Sequence, residues 1–515
     1  MRVVIRSMVA AGLSLLATVV LAVAWTAATA VQLAATALIM GGTFHPLSTP
    51  PDDPVSYVNP YLENAVKGFI QPAAAVPSGT GHPAIATVGD ADPWLAVITP
   101  EEFFPIWGSR TFDRSVRDGL ENLSSCMRGT GCVVNDDEQI VPQPPGVPPA
   151  ADDEFVVFAY SQSAVIASLA KRDLIENPGE TPTVASFFLL ANPMRPNGGI
   201  LARGPQGLTI PIIGVTFYGA TPTDSCDVGP CMPTVDVAPQ YDPFGGDAPA
   251  SLTNLLAIIN AVAGYAFLHG EAQNATFGDA VYQGSYGDTD YYLYPTKRLP
   301  MLMPFGAIVP SPILTALNAP LKAAIEGAYR RDVNPGVVTA VSLLPFHDPI
   351  RTILNIIAAI PTGIDDALAE ATGDPAFRPL GTAPVTSPYG VGGPDLPPPP
   401  KEAVDALTLQ SAPAGRTDDA ADEAESDAAD ALADSAEDGL GDGEEVVGEE
   451  VVGDGDEPEQ PTVRGPIEFD SAEQGDEPAS DQADAAETTA GEPEPEDDAA
   501  ESSDDAEGSE SRDAA

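Results

Sequence analysis

The sequence predicts an α/β chain built on a mostly parallel sheet, with a helical flank and a long acidic tail. Three observations carry that prediction. Short apolar runs alternate with helical patterns between residues 35 and 268, the order expected of parallel strands joined by crossover helices. A strong apolar strand, Glu154–Tyr160, passes through Ser161 directly into an Ala/Val/Ile/Leu-rich helix at about 162–176. Charge is segregated: the 515 residues hold 22 Lys+Arg against 76 Asp+Glu, a net charge of -54, and 40 acidic but only 4 basic side chains fall in residues 401–515.

Taken in order, Arg2 and Arg6 precede the apolar run Met8–Ala24 and the small residues Ala27-Ala28-Thr29-Ala30. That is the layout of a secretory signal with cleavage after Ala30. Because no charge follows Arg6 until Asp52, an uncleaved N-terminal membrane anchor is the rival reading of 1–30. Either one places the chain outside the cytoplasm: secreted, in the cell envelope, or held at the cytoplasmic membrane by that helix.

Residues 35–41 read as a buried strand running into Gly41-Gly42-Thr43, and 84–89 as a second one. An amphipathic helix follows near 112–125, then a Pro-rich loop at 142–149 and the strand 154–160 with its helix. The strand Val184–Leu190 ends at Asn192-Pro193, short strands are expected near 211–218 and 234–238, and a helix at 251–268. The stretch 349–371 is amphipathic and dense in apolar residues, either a cap packed on the sheet or a surface that touches lipid. Pro397–Pro400 form a stiff join to the tail. The tail has one aromatic, Phe469, and a duplicated Gly-Glu-Glu-Val-Val at 443–452. It cannot bury enough apolar surface to offset its ordering entropy and is expected to be disordered. The charge balance excludes ordinary nucleic-acid binding, which needs a basic face.

Four cysteines fall in two close pairs, Cys126/Cys132 and Cys226/Cys231, each bracketing a Gly-containing loop. In an exported chain this reads as two local disulfides, although sequence leaves other connectivities open. A metal site is disfavoured, because CxxC spacing is missing and no histidine is near in sequence.

The chemistry concentrates at Ala159-Tyr160-Ser161-Gln162-Ser163. A nucleophilic serine at a strand-to-helix turn needs small flanking residues, and Ala159 and Ser163 stand where G-x-S-x-G has glycines. The competing reading is that Ser161 caps the helix; Ser163 is the alternative hydroxyl, better suited to capping. A serine needs a base, and the histidines are His45, His82, His269 and His347. Only His269 and His347 follow Ser161. The orienting acid between Ser161 and His269 is one of Asp224, Asp227, Asp236, Asp242 and Asp247, with Asp242 best placed at a strand-end loop.

With these blocks in hand, the chain from about 36 to 335 resembles the PE-PPE domain of mycobacteria and their relatives, a cutinase-like branch of the serine α/β-hydrolases. The matching stretches are Gly41-Gly42-Thr43, Tyr160-Ser161-Gln162-Ser163-Ala164, Asn192-Pro193 through Gly199, Gly214–Phe217, Gly219–Asp224, Gln240-Tyr241-Asp242, His269-Gly270 and Pro295–Pro300. Ala159 departs from the first glycine of the family's elbow, and no PE or PPE leader is read before the domain, the signal-like segment standing there instead. The resemblance implies an α/β-hydrolase fold over 31–335; by composition the helical flank and linker span 336–394 and the tail runs from 395. It also implies a Ser161–Asp242–His269 triad, with an oxyanion hole from the backbone N–H groups of Thr43 and Gln162. The function implied is an exported esterase or lipase acting on lipid or other acyl esters without metal or organic cofactor, in contact with the membrane or envelope. The alternatives are an acyltransferase on envelope glycolipids using the same triad, and a catalytically silent envelope binding protein.

Overall fold

The computed structural model describes residues 35–49, 52–179 and 182–400. The signal-like segment 1–30 and the acidic tail from 401 lie outside them. The strands are β1 (Ala35–Ile39), β2 (Trp94–Ala96), β3 (Glu154–Tyr160), β4 (Val184–Leu190), β5 (Thr209–Ile210), β6 (Val215–Thr216), β7 (Thr234–Pro239), β8 (Val281–Tyr286) and β9 (Thr289–Tyr294). Seven form one sheet in the order β2-β1-β3-β4-β7-β9-β8, parallel except where β8 runs back along β9. β5 and β6 pair separately. The longer helices are α1 (Val55–Glu63), α2 (Phe112–Met127), α3 (Gln162–Glu176), α4 (Leu255–Gly264), α5 (Ser311–Glu326) and α6 (Pro349–Thr372). The chain is an α/β fold, a mostly parallel sheet flanked by helices.

The central strands are buried on both faces, which is why they read as continuous apolar runs rather than alternating ones. Along β3, Val156, Phe158 and Tyr160 enter one core while Phe155, Val157 and Ala159 enter the other. The first core carries stacked and tilted rings: Phe69 and Phe158 have centroids 5.4 Å apart, and Phe158 and Phe188 5.5 Å. Each such ring taken from water contributes about 1.5–3 kcal/mol. The second core is closed by α2 and α3. Because all the central strands share one direction, their C-terminal ends open on the same edge, and Ser161 stands at one of those ends.

Two expectations need correction, and one element was not expected at all. Residues 84–89 are not part of the sheet. Ile85 and Val88 are buried, yet the Ala86 N–H donates to Ser186 Oγ at 3.1 Å, and the place beside β1 is taken by β2. Apolar burial was legible there; which segment fills the one free edge was not. Within 211–218 only Val215–Thr216 is strand, because Ile212 (φ 76°) and Gly214 (φ 57°) turn the chain. The hairpin β8–β9 went unread, since its strands carry tyrosines where a Val-, Ile- or Leu-rich run was looked for, with Val281 and Leu293 alone of those types. Tyrosine is a good strand former, and the Gly287-Asp288 turn between Tyr286 and Thr289 was the available signal.

After α6 the chain returns to the sheet: Tyr389 is buried against Ala238 and Leu293, and Leu396 packs beside them. Cys126 bonds Cys132 and Cys226 bonds Cys231. Folding also brings His82 within reach of Cys226 and Cys231, a proximity that sequence distance concealed. Those two sulfurs are joined to each other, so they offer no thiolates to a metal.

Candidate active site

Ser161 occupies the single residue between β3 and α3, at φ 58° and ψ -113°. Such a backbone is sparsely populated for a residue with a Cβ and persists only where its surroundings impose it. Here β3 and α3 are both packed in the second core, and the Ser161 N–H donates to the Leu190 carbonyl at 3.0 Å. The side chain makes no capping bond. Its Oγ lies 2.7 Å from His269 Nε2 instead, so the capping alternative does not describe this serine. Ser163 is fully buried and its hydroxyl is spent locally, accepting from the Tyr160 N–H at 2.9 Å and donating to the Tyr160 carbonyl at 3.0 Å.

His269 ends a π turn, Tyr265–His269, that continues α4. Its Nδ1 lies 2.6 Å from Asp242 Oδ2, and Asp242 is wholly buried. The other carboxylate oxygen accepts from the Phe244 N–H at 3.1 Å. Tyr160 secures the histidine from the opposite side, its hydroxyl donating to the His269 carbonyl at 2.6 Å. Burial first, and the charge of Asp242 second, push the Tyr160 phenol well above its ordinary range, so it stays a donor. Sequence reasoning quoted Tyr160 only as part of the elbow, and nothing local marks this role.

The loop holding Asp242 is built tightly. Tyr241 adopts φ 70°, its N–H donates to Asp247 Oδ2 at 2.7 Å, and its hydroxyl donates to Glu326 Oε1 at 2.7 Å. Arg331 bridges Asp247 and Glu326 from below. On the other side α4 presses against the loop at Gly264, where an added Cβ would sit 2.3 Å from the Tyr241 carbonyl oxygen. Gly264→Val is therefore expected to displace Asp242 and lower kcat by about 100-fold, the scale set by misplacing a catalytic group by roughly 1 Å. Steady-state kinetics beside a thermal melt checks this; an unchanged kcat in a folded variant would show that α4 does not set the loop.

The remaining candidates are elsewhere. Asp236 pairs with Arg195 in the core, Asp247 with Arg331, and Asp224 and Asp227 are exposed. His45 bonds Asp53 at 2.8 Å, His82 lies by the second disulfide, and His347 lies 3.5 Å from Asp332.

The turn after β1 faces the start of α3. Gly41 and Gly42 are required by close approach: a Cβ would meet the His45 carbonyl oxygen at 1.9 Å and the Tyr160 ring at 2.7 Å. Gln162 ties the two segments together, its Nε2 donating to Thr43 Oγ1 at 3.4 Å and to the Glu102 carbonyl at 3.0 Å. Among the described residues, neither the Thr43 nor the Gln162 backbone N–H donates to another group.

The Thr43 turn also leans on Glu101, whose carbonyl accepts from the Phe44 N–H at 3.1 Å. The Glu101 side chain is wholly buried; Thr99 donates to Oε1 and Oε2 has no partner. Burial pushes its carboxyl well above the ordinary range, the Thr99 bond opposing only in part. A raised folded value means stability is fully present below the unfolded value, about 4.3, and is lost as pH rises through the folded one. Glu101→Gln, neutral throughout, should therefore raise Tm at pH 8 and leave it little changed at pH 4; equal shifts at both pH values would refute a protonated Glu101.

Comparison with known proteins agrees with this frame. Residues 94–330 match the model of the PE-PPE domain, a span that includes Ser161, Gln162, Asp242 and His269 but not Thr43. The chain is 34% identical over 336 residues to Esterase PE16 of Mycobacterium tuberculosis (strain ATCC 25618 / H37Rv), covering 63% of this chain and 54% of that one. It is 32% identical over 363 residues to the uncharacterized PPE family protein PPE42 of M. tuberculosis (strain CDC 1551 / Oshkosh), covering 67% and 53%. PE family protein PE3 of the H37Rv strain is 29% identical over 367 residues, covering 69% and 66%. The chain thus spans about half the length of the first two. No solved structure matches it. Residues 94–330 are a PE-PPE domain, and the chain's homologues are mycobacterial PE and PPE family proteins.

Proposed function

We propose that this protein is an exported serine esterase or lipase that cleaves acyl esters through an acyl-enzyme. The observation that carries the reading is the unbroken line from buried Asp242 through His269 to Ser161, with the serine on a strained turn at the sheet's C-terminal edge. Similarity to a protein named as an esterase supports it. His269 Nε2 takes the Ser161 proton as Oγ attacks the ester carbonyl, then returns it to the departing alcohol. Asp242 holds the tautomer that leaves Nε2 free to accept. The Thr43 and Gln162 N–H groups receive the developing oxyanion. Water then repeats the sequence and frees the acid.

Exposed aromatics rim the site, Phe44 against Trp107 on one side and Phe244 against Tyr265 on the other, which suits an acyl chain. The two disulfides and the mycobacterial family favour an extracellular or envelope location. In this reading 31–335 is the catalytic domain, 336–394 its flank, and 395–515 a solvated extension.

The test is hydrolysis of p-nitrophenyl esters of several chain lengths by the purified chain, with fluorophosphonate labelling in parallel. Turnover with labelling at Ser161 supports the reading. A folded protein that neither turns over nor labels would sink it, and product diverted to an acyl sugar when trehalose is supplied would move it to a transferase.

A further inference from the structure

We infer that the face formed by α4, α5, α6 and the 333–347 loop docks onto an uncharged lipid surface, with α6 lying in its plane. The helix has its polarity turned inside out. Its buried positions include the small residues Thr352, Ala359, Thr362 and Gly363, while Ile350, Ile353, Leu354, Ile357, Ile360 and Ile364 form a stripe at helical spacing that is exposed throughout, Ile350 by 74% and Leu354 by 60%. A helix in water does the opposite.

The stripe is not isolated. α6 packs along α5, and α5 along α4. α4 itself exposes Leu255, Ile259 and Val262. The Leu252 N–H donates to the Ser342 carbonyl at 3.0 Å and Thr253 Oγ1 to the Leu343 carbonyl at 2.9 Å, which sets exposed Leu252, Leu343 and Leu344 beside the start of α4. The runs 248–270, 299–321, 333–347 and 352–364 contain no Lys, Arg, Asp or Glu; Arg351, exposed beside Ile350 at one end of the stripe, donates to the Gly392 carbonyl at 2.8 Å. Apolar exposure on this scale marks a docking surface.

Charge decides the occupant. The chain carries -54 overall, so a second copy would bring two strongly acidic chains together, and an anionic surface would be repelled. A neutral lipid surface meets a face whose apolar runs carry no charge, without either cost. The helix lies along that surface rather than across it. Asp365, wholly buried, accepts from the Leu380 N–H at 2.8 Å and the Thr382 N–H at 2.9 Å, and Asp366 pairs with Arg378 at 2.6 Å. These bonds tie the last turns of α6 to polar chain that hydrocarbon would not admit. Tyr265, at the catalytic end of α4, has its ring 5.1 Å from that of His269, so the site would open at the edge of the docked face. That last step rests on the esterase reading; the docking itself does not.

The test measures binding alone. The full chain is floated with phosphatidylcholine vesicles beside Ile353→Asp/Ile357→Asp, the milder Ile353→Asn/Ile357→Asn, and Val147→Asp as a control on the Pro-rich loop. Melts verify folding, and sedimentation reports self-association. Wild type and control should float, with partition reduced at least about 100-fold in the Asp pair and reduced in the same direction in the Asn pair. No flotation of wild type, or undiminished flotation of folded variants, overturns the inference. Self-association lost in the variants without vesicle binding assigns the face to a second copy, and tighter binding to phosphatidylglycerol than to phosphatidylcholine overturns the charge argument. An inactive enzyme that still floats would count against the esterase reading only.

Discussion

Replacing Ser161 with alanine is expected to lower kcat for p-nitrophenyl esters by about 10⁵–10⁶-fold, the loss seen when the nucleophile of such a unit is removed. The size follows from the role. In the proposed mechanism Ser161 Oγ is the atom that bonds to substrate, and the neighbouring hydroxyl is not placed to replace it: Ser163 is fully buried and bonded at both its donor and acceptor to Tyr160. The variant should fold, because alanine deletes one oxygen and leaves both packed elements intact. Fluorophosphonate labelling should vanish with turnover. Labelling that persisted at another serine would show that the 2.7 Å contact with His269 is structural.

Asp242→Asn should cost about 10⁴-fold in kcat with little change in fold, for a different reason. The carboxylate accepts the Nδ1 proton of His269 at 2.6 Å. An amide nitrogen in that place donates instead, which moves the imidazole proton to Nε2, where it can no longer accept from Ser161. Shape is nearly preserved and the tautomer is inverted. The reaction rate with the fluorophosphonate should fall in step with kcat, and Ser161→Ala/Asp242→Asn should be no worse than Ser161→Ala alone, since the groups act as one unit. A loss under tenfold would remove Asp242 from the mechanism and leave His269 held mainly by Tyr160.

Much of the frame was readable in one dimension. The strand–Ser–helix passage at 154–176 was plain because β3 is buried on both faces and α3 is buried without a break from Gln162 to Ser168, so no polar side blurs the apolar pattern on either side of the turn. Chain order reduced the histidines that could serve Ser161 to His269 and His347. The tyrosine hairpin at 281–294 was missed because burial in β9 uses aromatic rather than branched residues, and 84–89 was misread because burial alone does not say whether a segment is hydrogen-bonded into a sheet.

What the residues determined by themselves is whatever depends on near neighbours: alternation, charge segregation, the spacing of cysteines and the small residues around a turn. What the tertiary structure decided is whatever depends on meeting across distance. Five aspartates beyond α3 satisfied the chain order for an acid, yet only Asp242 lies against His269, because Gly264 lets α4 approach and Arg331 pins the loop from 84 residues away. The isoleucines of α6 were legible as an amphipathic stripe, but a stripe has no inside or outside until the helix chooses a face. Here the small residues pack closest, so the isoleucines were left facing out.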